Sequence, residues 1–289
     1  GVLMGLFLAN LTAILLEMQD HSLKTISEIK QRFTFQVLGV VPLDTLQNSQ
    51  GGIIVQREPD SFASEIYRMI QTNLKFLAAK RQPKVILMTS SVPGEGKSIV
   101  AANLAAAMAQ LGRKVLLIDG DLRKASQHDI WQISNKAGVK DVIAHKIPLA
   151  QVVTQPMKQL DILTSGIIAP NPLALLDSPE MSQLVAAARK EYELVIIDAP
   201  PLAVTADVLT LSKLADGIVF ISRPGIVENE SAELAKETLY NAHLEQQVLG
   251  MVINGVKPKE FDRYSYHAKY SKSYFSSTTE SNQAKTATA

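Results

Sequence analysis

The sequence predicts an α/β fold: a doubly wound, mostly parallel sheet with helices on both faces. Two observations predict it. Several stretches are continuously apolar rather than alternating, as strands buried on both faces are. Between them lie segments with helical spacing and recognisable caps, so strand and helix alternate along the chain. The 289 residues suffice for one large domain or two small ones, and the composition is that of a soluble globular protein.

The elements follow in order. Residues 1–16, GVLMGLFLANLTAILL, form an apolar run slightly shorter than the roughly 20 residues of a bilayer span, with no basic region before it. This run reads as the end of a transmembrane helix, or alternatively as a buried N-terminal helix. Residues 17–59 read as a juxtamembrane connector, with VLGVVP and the irregular NSQGGIIVQREPD inside it. Its charges are balanced and give no membrane orientation.

The main domain is expected over 60–256. Asp60 is a suitable N-cap for a helix in which Phe62, Ile66, Met69, Ile70 and Phe76 recur at helical spacing. Buried strands are expected at KVILMTS (84–90), KVLLIDGD (114–121), LDILTSG (160–166), ELVIIDAPP (193–201), DGIVFISRP (216–224) and VLGMVING (248–255). Helices fall between them: SIVAANLAAAMAQL, closed by Gly112; one starting at Pro179 behind Ser178; and one near 227–243. Residues 257–289 have almost no aliphatic side chain, many Ser and Thr, and tyrosines at 264, 266, 270 and 274. Such a segment cannot bury a core and is expected to be a flexible tail.

Composition excludes some chemistry. Without cysteine there can be no disulfide, thiolate metal site or cysteine nucleophile. A net charge of +1 gives no electrostatic basis for binding nucleic acid.

The stretch SSVPGEGKS, 90–98, lies between a buried strand and a helix N-terminus, where backbone N–H groups and the helix dipole favour anions. A strict phosphate-loop pattern would place glycine at 91, where this chain has Ser91. Gly94 and Gly96 still allow close approach of the main chain, Lys97 would reach the β- and γ-phosphates, and the Ser98 hydroxyl would ligate Mg²⁺. Val92, Pro93, Glu95 and Ile99 complete the expected ATP-binding stretch. Asp119 and Asp121 in LLIDGDLR, and Asp198 in VIIDAPP, fall at the carboxyl ends of expected strands, the edge where open parallel sheets bind ligands. Hard carboxylate oxygens beside a phosphate loop suit Mg²⁺ and a nucleoside triphosphate, with Ser98, Asp119 and Asp198 as metal ligands.

These three motifs and the tyrosine-rich tail resemble the bacterial tyrosine kinases of the polysaccharide co-polymerase, capsular and exopolysaccharide family, which have the P-loop NTPase fold. The resemblance covers nearly the whole chain, and the motifs correspond to those called Walker A, A′ and B. It implies that Lys97 and Ser98 bind phosphate and metal, that Asp198 orients the metal, and that Asp121, or else Asp119, takes the proton of the attacking tyrosine. It places Asn254 where related ATPases contact adenine, although an asparagine there also serves as a turn residue. It implies Tyr264, Tyr266, Tyr270 and Tyr274 as phosphoacceptors, offered to a neighbouring subunit in a ring. The implied partners are further copies of the chain, the polysaccharide export machinery, a cognate tyrosine phosphatase and, through the N-terminal run, the plasma membrane, with the kinase domain cytoplasmic.

One departure is visible. The family's ring helix carries E-x-x-R-x-x-R, and here Glu65 and Arg68 are followed by Gln71, which lacks the charge and planar fork of arginine. Two other readings share the motifs: a positioning ATPase of the partition or septum-site type, and an ATP-binding scaffold. The positioning ATPases carry a lysine five residues before the invariant one, and that position is Val92.

Overall fold

The computed structural model describes residues 21–43, 53–77, 82–167 and 170–264, with Met4 and Leu11 as isolated positions. Its centre is an eight-stranded sheet made of β1 (Val37–Pro42), β2 (Val85–Ser90), β3 (Val115–Asp119), β4 (Thr154–Met157), β5 (Leu160–Leu163), β6 (Leu194–Asp198), β7 (Gly217–Ser222) and β8 (Val248–Val256). The spatial order is β1-β8-β7-β2-β6-β3-β5-β4. Neighbours run parallel except β4, which is antiparallel to β5. β2, β3, β6 and β7 are buried at every position, which is why their sequences are unbroken apolar runs.

All six expected strands occur. The two that were not expected lie at the sheet's edges, and β1 changes the domain boundary. The stretch read as a connector is part of the fold. In α1 (Ile26–Phe33) the Glu28 N–H donates to Thr25 Oγ1 at 3.2 Å, and Ile26, Ile29 and Phe33 form its buried face. The Phe33 ring lies 4.9 Å from that of Phe220 on β7, and Arg32 pairs with Glu233 at 2.9 Å. β1 then runs parallel to β8, with Val37 beside Met251. Residues 1–16 otherwise lie outside the described residues. No described helix is long and apolar enough to cross a membrane.

In α2 (Phe62–Leu77) the cap is Ser61 rather than Asp60: the Ser64 N–H donates to its hydroxyl and the Glu65 N–H to its carbonyl. Ile66, Tyr67, Ile70 and Leu74 face the core, whereas Met69 and Phe76 are 54% and 75% exposed. Helical spacing therefore located the helix, but two of its apolar side chains lie on the outer face. Helix α3 (Lys97–Gln110) is buried from Val100 to Ala109 and packs against α2 and strands β2, β3 and β6; its alanines let the backbone lie close to both. In α4 (Pro179–Glu191) the expected cap is present, with the Met181 N–H donating to Ser178 Oγ at 3.1 Å. α5 (Asp207–Ser212) and α6 (Asn229–Asn241) follow.

The tail does not begin at 257. Residues Pro258–Tyr264 form α7, whose buried Phe261 meets Phe62 at 6.1 Å between ring centroids. The Glu260 carboxylate accepts the Ile26 N–H at the start of α1, and Lys30 Nζ lies 5.4 Å from the centre of the Tyr264 ring. Tyr266, Tyr270 and Tyr274 lie outside the described residues.

Candidate active site

Four central strands end on one side of the sheet, and the motif residues meet there. Asp119 and Asp198 are register partners on β3 and β6, and Met88 of β2 lies on the other side of Asp198. The loop leaving β2 passes over these ends and enters α3 at Lys97. Gly94 and Gly96 both have positive φ, 91° and 84°, and a Cβ on Gly96 would lie 2.2 Å from Asn254 Nδ2. Glycine is therefore required at 96 by backbone conformation and by space alike. Position 91 makes no such demand. Ser91 is fully buried, and its carbonyl accepts the Ala203 N–H at 3.0 Å, so it begins the loop as an extension of the sheet.

Lys97 Nζ lies 3.1 Å from Asp121 Oδ2, 3.5 Å from Asp198 Oδ1 and 3.1 Å from Ser98 Oγ. Burial works against its charge, but Asp198 and Asp121 outweigh that effect and the ammonium is held above its ordinary pKa. Asp121 Oδ1 accepts the Lys124 N–H at 2.9 Å. Asp119 Oδ2 accepts the N–H groups of Ser126 and Gln127 at 3.0 and 2.9 Å. Burial, and then the neighbouring Asp198, push the Asp119 carboxyl up to about 7 despite those hydrogen bonds.

Mg²⁺ fits this donor set. The buried Oδ1 atoms of Asp119 and Asp198 make no hydrogen bond within the protein, and the Ser98 hydroxyl is close by. No group of three or more acidic or histidine side chains forms a closed metal site among the described residues. A cation sharing oxygen ligands with water and phosphate needs no such cage.

Three side chains with roles at the site were not legible in the motifs. Gln127 Nε2 donates to Asp198 Oδ2 at 2.8 Å and to the Ser98 carbonyl at 3.0 Å, tying the two metal-side groups together. Arg123 forks onto the buried Asp207 at 2.7 and 3.1 Å, anchoring the loop that carries Asp121. The Glu95 carboxylate points inward rather than toward solvent, where it accepts the Val92 N–H. Gln127 and Arg123 depend on partners distant in sequence, and Glu95 also accepts the N–H of the distant Arg223, so only the arginine fork, beside an Asp-rich motif, left any local sign.

The Asn254 side chain is fully buried and its Nδ2 donates to the Glu95 carbonyl at 2.8 Å, so it braces the loop from beneath, while its Oδ1 has no hydrogen-bond partner among the described residues. Of the residues expected at an oligomer interface, Glu65 and Arg68 pair with each other at 3.0 Å on the outer half of α2. Gln71 is buried on the inner half. A cavity of about 760 Å³, lined by Gln71, Leu74, Lys84, Ile86, Arg113 and Tyr192 among others, opens where β2, β3 and β6 begin. It lies at the opposite end of the sheet from the carboxylates and takes no part in the site.

A parallel sheet with an anion-binding loop on a central strand and carboxylates on the neighbouring strands is a P-loop nucleotide-binding fold. The AAA domain family matches residues 83–242, more than half of the chain. Over 219 residues the chain is 43% identical to tyrosine-protein kinase YwqD of Bacillus subtilis (strain 168), covering 75% of this chain and 92% of YwqD. Over 209 residues it is 32% identical to tyrosine-protein kinase etk of Escherichia coli (strain K12), covering 72% of this chain and 28% of etk.

Among solved structures, the chimerical protein CapA2B2 superposes with a TM-score of 0.73 at 31% identity, covering 81% of this chain and all of that one. The kinase domain of Escherichia coli ETK gives 0.73 at 27% identity, covering 80% and 94%. The septum site-determining protein MinD of Pyrococcus horikoshii, complexed with Mg-ADP, gives 0.51 at 22% identity and shares the fold. The chain belongs to the bacterial tyrosine kinases and is by family a protein-tyrosine kinase.

Proposed function

We propose that the chain transfers the γ-phosphoryl group of Mg²⁺·ATP to tyrosine hydroxyls of its own segment 264–274 on a neighbouring copy, and in this way regulates exopolysaccharide or capsule polymerisation and export. The observation that carries this reading is the position of Lys97: its ammonium is held by Asp121 and Asp198 directly beneath a glycine-containing loop at a helix N-terminus.

Phosphoryl transfer is catalysed chiefly by positioning and by charge stabilisation. The N–H groups at the start of α3 and the Lys97 ammonium face the phosphates and stabilise charge on the transferring oxygens. Ser98, Asp119 and Asp198 would hold Mg²⁺, which when bound neutralises charge on the phosphates. A tyrosine hydroxyl, with a pKa near 10, is neutral at physiological pH and needs a base. Asp121 fits that role: its Oδ2 lies 3.1 Å from Lys97 Nζ, whereas Asp119 is fully buried and its Oδ2 is taken up by the Ser126 and Gln127 N–H groups. As Lys97 turns to phosphate, Asp121 Oδ2 is released to accept the phenolic proton.

The N-terminal apolar run would hold the protein at the plasma membrane with the catalytic domain in the cytoplasm. A tyrosine phosphatase would reset the tail. Each added phosphate brings about two negative charges, which would offset the basic residues among the tyrosines and favour separation of the copies.

Incubation with γ-labelled ATP and Mg²⁺, followed by peptide mapping, tests the reading. Label is expected on the 264–274 peptide, falling about 10²- to 10³-fold in Lys97→Met. Replacing Tyr264, Tyr266, Tyr270 and Tyr274 together with phenylalanine should remove most of the label while leaving ATP affinity unchanged. ATP hydrolysis with no labelled tyrosine in the wild type would instead indicate a positioning ATPase.

A further inference from the structure

Glu95 is an unexpected residue for a phosphate loop: a carboxylate one position from Gly96, where a ligand carrying several negative charges is to bind. Its side chain is fully buried and turned away from the loop's open side. Oε2 accepts the Val92 N–H at 2.8 Å and Oε1 accepts the Arg223 N–H at 3.1 Å. Arg223 is the first residue after β7, and its guanidinium reaches back to the Gly94 carbonyl at 3.4 Å. On the other side, Asn254 of β8 donates to the Glu95 carbonyl at 2.8 Å. The loop leaves β2, but it is fastened to the ends of β7 and β8.

From this geometry we propose that Glu95 is a positioning residue for nucleotide binding: its carboxylate takes the N–H of Val92 and ties the loop to β7, holding the N–H groups from Gly96 onward in their phosphate-binding arrangement before any nucleotide arrives. The inference rests on the nucleotide reading of the loop. Its physical content is division of labour among identical donors. N–H groups at the start of the loop, if not satisfied internally, would leave the main chain free to reorient them, and the ligand would then have to order the loop as it binds. Carboxylate acceptors make hydrogen bonds roughly twice as strong as neutral ones, so above about pH 7, where the buried Glu95 is ionised, it holds this turn more firmly than a serine or an asparagine would. Its charge is directed at main-chain donors and away from the phosphates.

The test compares wild type with Glu95→Gln, which keeps the shape but turns an amide NH₂ toward main-chain N–H groups. In the nucleotide-free protein, amide hydrogen exchange over 91–98 should be faster in the variant. The dissociation constant for Mg²⁺·ATP, by calorimetry, and KM for ATP should each rise about tenfold, with kcat at saturating ATP within about twofold. A role limited to global stability would lower the melting temperature and leave exchange of 91–98 relative to other segments, and KM, unchanged; that result overturns the proposal. If the glutamine variant does not fold, Glu95→Asp, which withdraws the carboxylate by one methylene, is judged by the same criteria. Failure of the wild type itself to bind Mg²⁺·ATP would refute the nucleotide reading, whereas tight binding by both proteins refutes only the role of Glu95.

Discussion

Lys97 shares its small buried volume with Asp119, Asp121 and Asp198, so one positive charge faces three carboxyl groups. Asp119 responds by holding its proton up to about pH 7, first because it is buried and then because Asp198 is adjacent. An unfolded aspartate titrates near 4, so between about pH 4 and 7 the folded protein binds the extra proton. Stability therefore falls as pH rises through that window. Glu95, also pushed up to about 7 by burial, adds to the same slope. The nucleotide-free protein should melt at a lower temperature at pH 8 than at pH 5.5. Asp119→Asn should flatten part of that slope, mainly by raising the melting temperature at pH 8. A variant with the wild-type slope would show that Asp119 is not held protonated.

The segment between β3 and the short helix Gln127–Trp131 shows how an element is shaped for its site. The N–H groups of Lys124, Ser126 and Gln127 turn inward onto Asp121 and Asp119, and the Arg123 fork pins the segment to Asp207 at the start of α5. Asp207 is fully buried, so Arg123→Ala leaves a carboxylate without its partner and should cost about 1–3 kcal/mol in urea denaturation. Arg123→Ala combined with Asp207→Asn should recover at least half of that loss, because the buried charge is gone. If Arg123→Ala is as stable as wild type, the fork is not what anchors the segment. Helix α2 gives the opposite lesson. Its apolar spacing was legible, yet Met69 and Phe76 face outward beside Glu65 and Arg68, because the periodicity locates a helix better than it fixes which of two adjacent apolar stripes meets the sheet.

The two ends of the described chain close one side of the molecule together. The Leu23 N–H bonds to the Val227 carbonyl, α1 packs on α6, β1 covers the edge of β8, and α7 caps α1 through Glu260. Removing residues 1–42 should therefore do more than delete a connector. It exposes the apolar β8 edge and removes Phe33 and Phe35 from the ring cluster on Phe220. Such a protein should melt at least several degrees lower and aggregate on standing, as read by differential scanning calorimetry and light scattering. A fragment starting at Asp60 that melts like the full chain would restore the boundary expected from sequence.

The parallel α/β architecture, six of the eight strands and the convergence of Lys97, Ser98, Asp119, Asp121 and Asp198 were all legible, because each is written locally: an apolar run, a cap, or a motif at a strand end. β1 was not, since six residues with a glycine and a proline look like a linker until β8 supplies partners 213 or 214 positions away. Nor was the task of Glu95, whose sequence neighbours say nothing of Arg223, or the bond from Asn254 to the Glu95 carbonyl, which joins residues 159 positions apart. Periodicity and motif spacing are short-range properties that a linear sequence displays directly. Which N–H a buried carboxylate accepts, and which strand covers an edge, are long-range pairings settled only when the packed chain has to satisfy every buried polar group at once.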